Sequence, residues 1–207
     1  MKKLILLDID NTLFDSPSYR KLVFKKIGNI SLCQEIYDKM IRESGYFFPD
    51  AFAKIISELL KKRKADEIMS VIIDPKTFRE NLHKDVLDSL NKLTKIGKVG
   101  ILSQGDNEFQ SAKIVHFKHL LSRDHIHILS DKKSDMVRIL KNLKEHDLYF
   151  VDDMLSMLQM AKKIQPSIVT IWMKRGRYAE NQKAIPDFTP DAEAKNLSEV
   201  VKIIKEN

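Results

Sequence analysis

The chain has 207 residues, of which 43% are hydrophobic and 31% are charged, a composition close to that of ordinary globular proteins. This length suits one domain, or one domain with a modest insertion, and no apolar stretch is long enough to span a membrane. The formal charge of +7 would permit nucleic-acid binding. Its basic residues are spread along the chain without a recognised motif, so we expect no nucleic-acid partner.

Cysteine content and the first residues bear on the compartment. The only cysteine, Cys33, cannot form an intramolecular disulfide, and its helix-type surroundings argue against a catalytic thiol. Lys2 and Lys3 precede an apolar run that reaches Asp8 after four residues, too few for the hydrophobic region of a signal peptide. We therefore expect a cytoplasmic protein.

The first predicted element is a short strand over residues 4–7, whose unbroken apolar run is typical of a strand buried on both faces of a parallel sheet. Asp8, Asp10 and Thr12 follow at alternate positions, and Asn11 favours a turn. Open α/β sheets bind ligands beyond the carboxyl ends of their strands. Two acids at such a place could serve as nucleophile, metal ligand or proton carrier, or could simply be a solvated strand end.

The next stretch, from residue 17 to about 71, is predicted to be helical throughout. Ser31 and Gln34 form a capping-box pattern that predicts a helix start, and Pro49 is placed to open the following helix. A further helical pattern starts at Asp74 and runs to Gly97.

Beyond Gly97 short apolar strands alternate with helical stretches, which predicts a parallel sheet with helices on both faces. The fold class is therefore a doubly wound, Rossmann-like α/β sheet that carries an all-helical insertion. The predicted strands cover residues 99–102, 126–129, 148–151 and 168–172, and the predicted helices cover residues 107–122, 134–145 and 153–164.

Residues suited to bind an anion follow two of these strands. Ser103 and Gln104 come before a helix, where a hydroxyl and free N–H groups can bind an anion, although a helix cap is the more ordinary role. Lys132 and Lys133 follow the next strand, where a lysine could neutralise a phosphoryl group or form a solvated basic turn.

Two adjacent acids, Asp152 and Asp153, end the strand at 148–151. Carboxylates held this close need compensation from hydrogen bonds or a cation, and hard divalent cations take oxygen ligands. The pair therefore predicts a Mg²⁺ site.

These four strand ends together resemble the haloacid dehalogenase-like hydrolase superfamily. DIDNTLFDS resembles its first motif, Ser103 its second, the lysine of KSDMVRIL its third, and YFVDD its fourth. The third motif favours Lys133, with Lys132 as the alternative. Met157 departs from the commoner form, in which a second Asp or Asn stands four residues after the metal-binding acid. The resemblance implies a core domain of residues 1–14 and 81–207 and a helical cap domain of residues 15–80.

A phosphatase mechanism is what this resemblance implies. Asp8 would be the nucleophile that forms an aspartyl-phosphate, and Asp10 the general acid and base. Mg²⁺ would be held by Asp8, Asp153 and the backbone carbonyl of Asp10. The remaining roles would be phosphate binding by Ser103, Gln104 and Lys133, and support from Thr12 and Asp152.

The expected substrate is a small phosphorylated metabolite, and several points stay open. A phosphomutase is the alternative function within the family. An acid at position 10 is expected in phosphatases and phosphomutases alike, whereas a dehalogenase does not need one, because a halide leaves unprotonated. A phospho-aspartate switch and a catalytically silent scaffold are readings from other classes. Specificity residues could include Tyr19, Arg20, Arg42 and Tyr46 from the cap, and Lys174, Arg175 and Arg177 after the last predicted strand, although an exposed side chain is the more ordinary role for each.

Overall fold

The protein is described by a computed structural model over residues 2–130, 132–143 and 146–206; of residues 2, 132, 133, 177 and 178 only the backbone is described. Its centre is a six-stranded sheet in the order β3-β2-β1-β4-β5-β6, with every neighbouring pair parallel. The strands are β1 (Lys2–Leu7), β2 (Lys98–Gln104), β3 (Ile126–Leu129), β4 (His146–Asp152), β5 (Val169–Met173) and β6 (Ala192–Ala194).

Strand β1 lies at the middle of the sheet, between β2 and β4. Its last residue, Leu7, pairs with Ile101 of β2 and with Val151 of β4. Because the three strands are parallel and end close together, the residues that follow them emerge at one edge of the sheet.

Helices cover both faces of the sheet, as the alternating pattern predicts. Successive strand residues point to opposite faces, so Ile5 and Leu7 belong to one apolar core while Leu4 and Leu6 belong to the other. One face is covered by α8 (Lys132–Lys141) and α9 (Leu155–Ile164), and the other by α6 (Val86–Leu93), α7 (Asn107–Ile114) and α11 (Leu197–Glu206); the short helix α10 spans Gly176–Glu180.

Five helices lie between β1 and α6, where the sequence predicts an all-helical insertion. Gly28 and Gly45 end the first two helices in the left-handed conformation, with φ of 102° and 83°, which glycine adopts without steric cost. No described helix is both long enough and apolar enough to cross a membrane. The five helices are α1 (Ser16–Ile27), α2 (Ile30–Ser44), α3 (Pro49–Leu60), α4 (Ala65–Ile72) and α5 (Pro75–Glu80).

The chain enters and leaves the insertion side by side. Phe14 and Leu82 form an isolated antiparallel bridge. Next to it, the Asp15 N–H donates to the Asn81 carbonyl at 2.9 Å, and the His83 N–H donates to the Leu13 carbonyl at 3.1 Å. These bonds fix the two connections to each other directly below the insertion.

The same bonds explain where one sequence prediction was wrong. The pattern from Asp74 to Gly97 predicts a continuous helix, but α5 ends at Glu80 and α6 begins at Val86. The intervening backbone pairs with residues 13–15 instead of extending the helix.

Several other elements also differ from the prediction, among them the helices α10 and α11, which it did not include. Helix α2 begins one residue before Ser31, because the side chain of Asn29 accepts from the Leu32 N–H and caps it. The helix predicted to reach residue 122 ends at Ile114 and continues as a 3-10 turn to Leu120. Strand β6 was not predicted, because its three residues lack an apolar run and join the sheet through their backbone.

Candidate active site

Three buried carboxylates meet at the carboxyl edge of the sheet. Asp8 follows β1, and Asp152 and Asp153 stand at the end of β4; each is at most 6% exposed. One oxygen from each of the three lies within 4.8 Å of the others. The sequence predicts Asp8 and Asp153 together at a metal site, and the structure brings Asp152 into the same group.

Backbone and side-chain hydrogen bonds hold this group in place. Asp8 donates its N–H to the Val151 carbonyl at 3.0 Å, which ties the end of β1 to β4. Asp152 accepts from the Met154 N–H at 2.8 Å, and Asp153 accepts from the Asn11 side chain at 3.0 Å. Asn11 has a φ of 58°, a conformation that Asn tolerates better than most residues. Its turn therefore directs an amide toward the acids.

The carbonyl of Asp153 is clamped from behind. It accepts from the indole N–H of Trp172 at 3.0 Å and from the side chain of Gln182 at 2.6 Å. Gln182 in turn accepts from the Leu155 N–H, the first of helix α9, at 2.9 Å. The side chain of Gln182 thus holds both the backbone of Asp153 and the start of helix α9 in place.

Asp10 lies outside this group of three acids and pairs with a lysine. Lys113 Nζ lies 2.7 and 3.0 Å from the two carboxylate oxygens, Gln110 donates to one of them at 2.7 Å, and Ser16 donates to the other. Burial alone would raise the pKa of Asp10, but the charge of Lys113 and these hydrogen bonds outweigh it, so the pKa lies below its usual value. Asp10 is therefore held ionised.

Lys113 was not identified from the sequence. Its side chain is only 3% exposed, and its ammonium lies 4.4 Å from the ring centre of Phe109 and 5.0 Å from that of Phe14. A lysine in an amphipathic helix usually faces solvent. The available signal was its spacing, because Gln110 and Lys113 fall on the same side of α7 as the apolar Phe109.

The other predicted site residues lie around the same edge. Ser103 is 1% exposed, and its hydroxyl has no hydrogen-bond partner among the described residues. The side chain of Gln104 donates to the Ser130 carbonyl at 3.2 Å. Thr12 is fully buried, and within the described part of the chain its hydroxyl also lacks a partner. The side chains of Lys132 and Lys133 lie outside the described residues, so the choice between them stays a prediction.

Comparison with known proteins identifies the architecture. No family model and no curated protein matches the sequence. Among solved structures, a protein of Burkholderia xenovorans described as a haloacid dehalogenase-like hydrolase is 22% identical, with a TM-score of 0.80 over 99% of this chain and 97% of that one. The chain has the haloacid dehalogenase-like fold.

Two further structures with this fold differ in what they contain. YfnB of Bacillus subtilis, described as a HAD hydrolase bound to magnesium, is 15% identical with a TM-score of 0.65 over 98% of both chains. The L-2-haloacid dehalogenase of Xanthobacter autotrophicus, with chloropropionic acid covalently bound, is 13% identical with a TM-score of 0.69 over 99% of both chains. At these identities the likeness concerns the fold alone.

A cavity of about 410 Å³ opens above the acids of this haloacid dehalogenase-like fold. Its floor includes Asp8, Asp10 and Ser103, and its opposite wall comes from the helical insertion. Of the predicted specificity residues in the insertion, Tyr19, Arg20 and Tyr46 line the cavity. Arg42 is exposed and does not.

Two of the basic residues after β5, Lys174 and Arg175, bind other residues instead. Lys174 pairs with Glu193 at 3.1 Å. Arg175 pairs with Asp85 at 2.6 Å and donates to the Thr12 carbonyl at 3.0 Å, so it supports the loop that follows β1. The side chain of Arg177 lies outside the described residues.

Proposed function

We propose that the protein is a Mg²⁺-dependent phosphatase that hydrolyses a small phosphomonoester through an aspartyl-phosphate on Asp8. The observation that carries this proposal is the grouping of Asp8 with the buried acids Asp152 and Asp153. A nucleophilic carboxylate that shares a site with two further carboxylates calls for a cation, and an anionic phosphoryl substrate needs the same positive charge.

These residues fit a divalent cation. Three carboxylates within a few ångströms offer only oxygen, which is the donor that Mg²⁺ selects. Asp8, Asp152 and Asp153 would hold the ion, and the carbonyl of Asp10 stays a predicted fourth ligand. The bound ion would share the negative charge of the phosphoryl oxygens.

Phosphomonoester hydrolysis would proceed in two displacements, in which Asp8 and Asp10 have different roles. Asp8 attacks phosphorus and the bond to the alcohol oxygen breaks, while Asp10 gives that oxygen a proton. Asp10 then takes a proton from the water that attacks the aspartyl-phosphate, which releases inorganic phosphate and restores Asp8. The buried hydroxyl of Ser103 would donate to a phosphoryl oxygen, and Lys133 would neutralise one.

The ionised state of Asp10 suits the second displacement directly. For the first, Asp10 must carry a proton, and the negative charge of an arriving phosphoryl group would raise its pKa. The hydrogen bonds from Lys113 and Gln110 keep its carboxylate at the cavity throughout. Acid and base work can thus alternate on one residue.

Halide displacement and phosphoryl transfer within one substrate are the competing reactions. A halide leaves without a proton, so a dehalogenase would not need the hydrogen bonds that hold the carboxylate of Asp10 at the cavity. A phosphomutase would use the same residues but needs a substrate with two phosphorylation positions, and it stands as the alternative.

The deciding experiment compares the native protein with Asp8→Asn and Ser103→Ala. We expect phosphate release from a phosphomonoester panel that requires Mg²⁺, is abolished by Asp8→Asn and falls by about 10²-fold in Ser103→Ala. The same preparations are assayed for chloride release from 2-chloropropionate. Chloride release without phosphate release would overturn the proposal in favour of a dehalogenase, and isomerised phosphate esters would favour a mutase.

A further inference from the structure

One wall of the cavity is a row of aromatic rings. Starting in the insertion, Phe24 of α1 lies 6.1 Å from Tyr37 of α2, and Tyr37 lies 5.5 Å from Phe47 in the loop before α3, measured between ring centres. Phe47 then lies 5.4 Å from Phe109 of α7, which belongs to the sheet domain. All four rings line the cavity, so the row crosses from the insertion to the sheet domain.

The charges of the cavity are separated from this wall. Among the described lining residues, every carboxylate comes from the carboxyl edge of the sheet and none from the insertion. Arg20 is the one cation that the insertion contributes to the described lining, and its guanidinium carbon lies 4.5 Å from the ring centre of Tyr37. The cavity therefore has a polar floor for a phosphoryl group and an aromatic wall, on which the guanidinium of Arg20 is stacked.

We infer that the substrate is a phosphomonoester whose alcohol part carries a planar aromatic ring, held against the wall formed by Tyr37, Phe47 and Phe109. The inference rests on the proposed function, which places the phosphoryl group at the acids. Aromatic pairs gain energy from offset or edge-to-face contacts beyond the area they bury, so a flat ring is favoured over a saturated one of similar size. The cavity volume of about 410 Å³ lies within the range of small-molecule sites.

The test compares esters that differ only in ring planarity. Benzyl phosphate and cyclohexylmethyl phosphate have alcohol leaving groups of similar chemistry, and the corresponding phosphonates cannot be hydrolysed. Binding of the two phosphonates is measured by calorimetry with Mg²⁺ present, and hydrolysis of the two phosphates by phosphate release. We expect benzylphosphonate to bind about tenfold more tightly than its saturated counterpart, and a similar ratio in kcat/KM.

Variants assign the preference to the wall. Tyr37→Leu and Phe47→Leu keep apolar volume but remove the ring, and each should reduce the ratio toward one. Phe48→Leu is the matched control, because Phe48 is a neighbouring half-buried ring that does not line the cavity, and it should leave the ratio unchanged.

The two proposals fail in distinguishable ways. Tighter binding of benzylphosphonate without hydrolysis of either phosphate would support the aromatic site and overturn the phosphatase. Equal binding of the two phosphonates, or binding of neither, would overturn the aromatic site whatever the turnover. A preference that persists in both wall variants would overturn the assignment to these rings.

Discussion

Lys113 places a buried ammonium against the acid that the proposed reaction uses twice. We predict that Lys113→Met lowers kcat for phosphate release by about 10²-fold, because the carboxylate of Asp10 loses the partner that orients both its oxygens. Lys118→Met, at an exposed position of the 3-10 turn that follows α7, is the control and should leave kcat unchanged. Equal kcat values in a folded Lys113→Met protein would contradict the role given to this pair.

Asp85 gives a residue whose effect depends on pH. Its carboxylate accepts from Arg175 at 2.6 Å and from the Leu197 N–H at 2.5 Å. Burial would raise the pKa of Asp85, but Arg175 and the hydrogen bonds lower it overall. A lowered pKa in the folded state stabilises the protein above the unfolded value of about 4, and that stabilisation is lost as the pH falls through the folded pKa.

We therefore predict that Asp85→Asn lowers the free energy of unfolding by about 1.5–3 kcal/mol at pH 7, the usual contribution of charged hydrogen bonds. The loss should shrink as the pH falls below about 4, which urea denaturation at a series of pH values measures. Asp88→Asn is the matched control, because Asp88 forms an exposed pair with Lys92 that should contribute little. A constant difference between Asp85→Asn and native protein across pH would contradict the assignment.

At the scale of elements, Gln182 connects the end of β4 to the start of α9. We predict that Gln182→Ala raises the Mg²⁺ concentration needed for half-maximal activity by about tenfold, because the loop that carries Asp153 loses a hydrogen bond that orients it. Phosphate release at increasing Mg²⁺ measures the change. Asn181→Ala, at the exposed neighbouring position, should have no effect; an unchanged Mg²⁺ requirement in Gln182→Ala would show that Trp172 alone suffices.

Most of the strands, but not every helix boundary or buried side chain, could be predicted from the sequence. Apolar runs and the charges that end them predict the strands β1 to β5, and parallel pairing then brings Asp8, Ser103 and Asp153 to one edge. Lys113 could not be predicted as a site residue, because its sequence pattern is that of an ordinary solvated lysine and only the packing of α7 buries it. The break between α5 and α6 could not be predicted either, because backbone pairing with residues 13–15 causes it and no side-chain pattern indicates such pairing.

For the whole molecule, the acidic group predicts a link between stability and metal. We predict that millimolar Mg²⁺ raises the Tm of the native protein, because an ion bound only by the folded state stabilises it by mass action. Asp153→Asn should abolish this rise and should raise the Tm measured without metal, since it relieves repulsion among three buried acids. Asp50→Asn, at an exposed position of α3, is the control and should keep the response to Mg²⁺. A Tm of the native protein that Mg²⁺ leaves unchanged would contradict the proposed site.

The central position of β1 sets the order in which the protein can fold during synthesis. Leu4 pairs with Lys98, which is 94 residues later, and Lys2 pairs with His146, which is 144 residues later. At about 5–20 residues per second, the apolar strand waits roughly 5–20 s for its first partner and longer for its second. The insertion, built from helices with mostly local contacts, can form in the meantime. The strand that precedes the proposed nucleophile is thus translated before both of its neighbours, and a nascent chain must keep it from aggregating until β2 and β4 have been made.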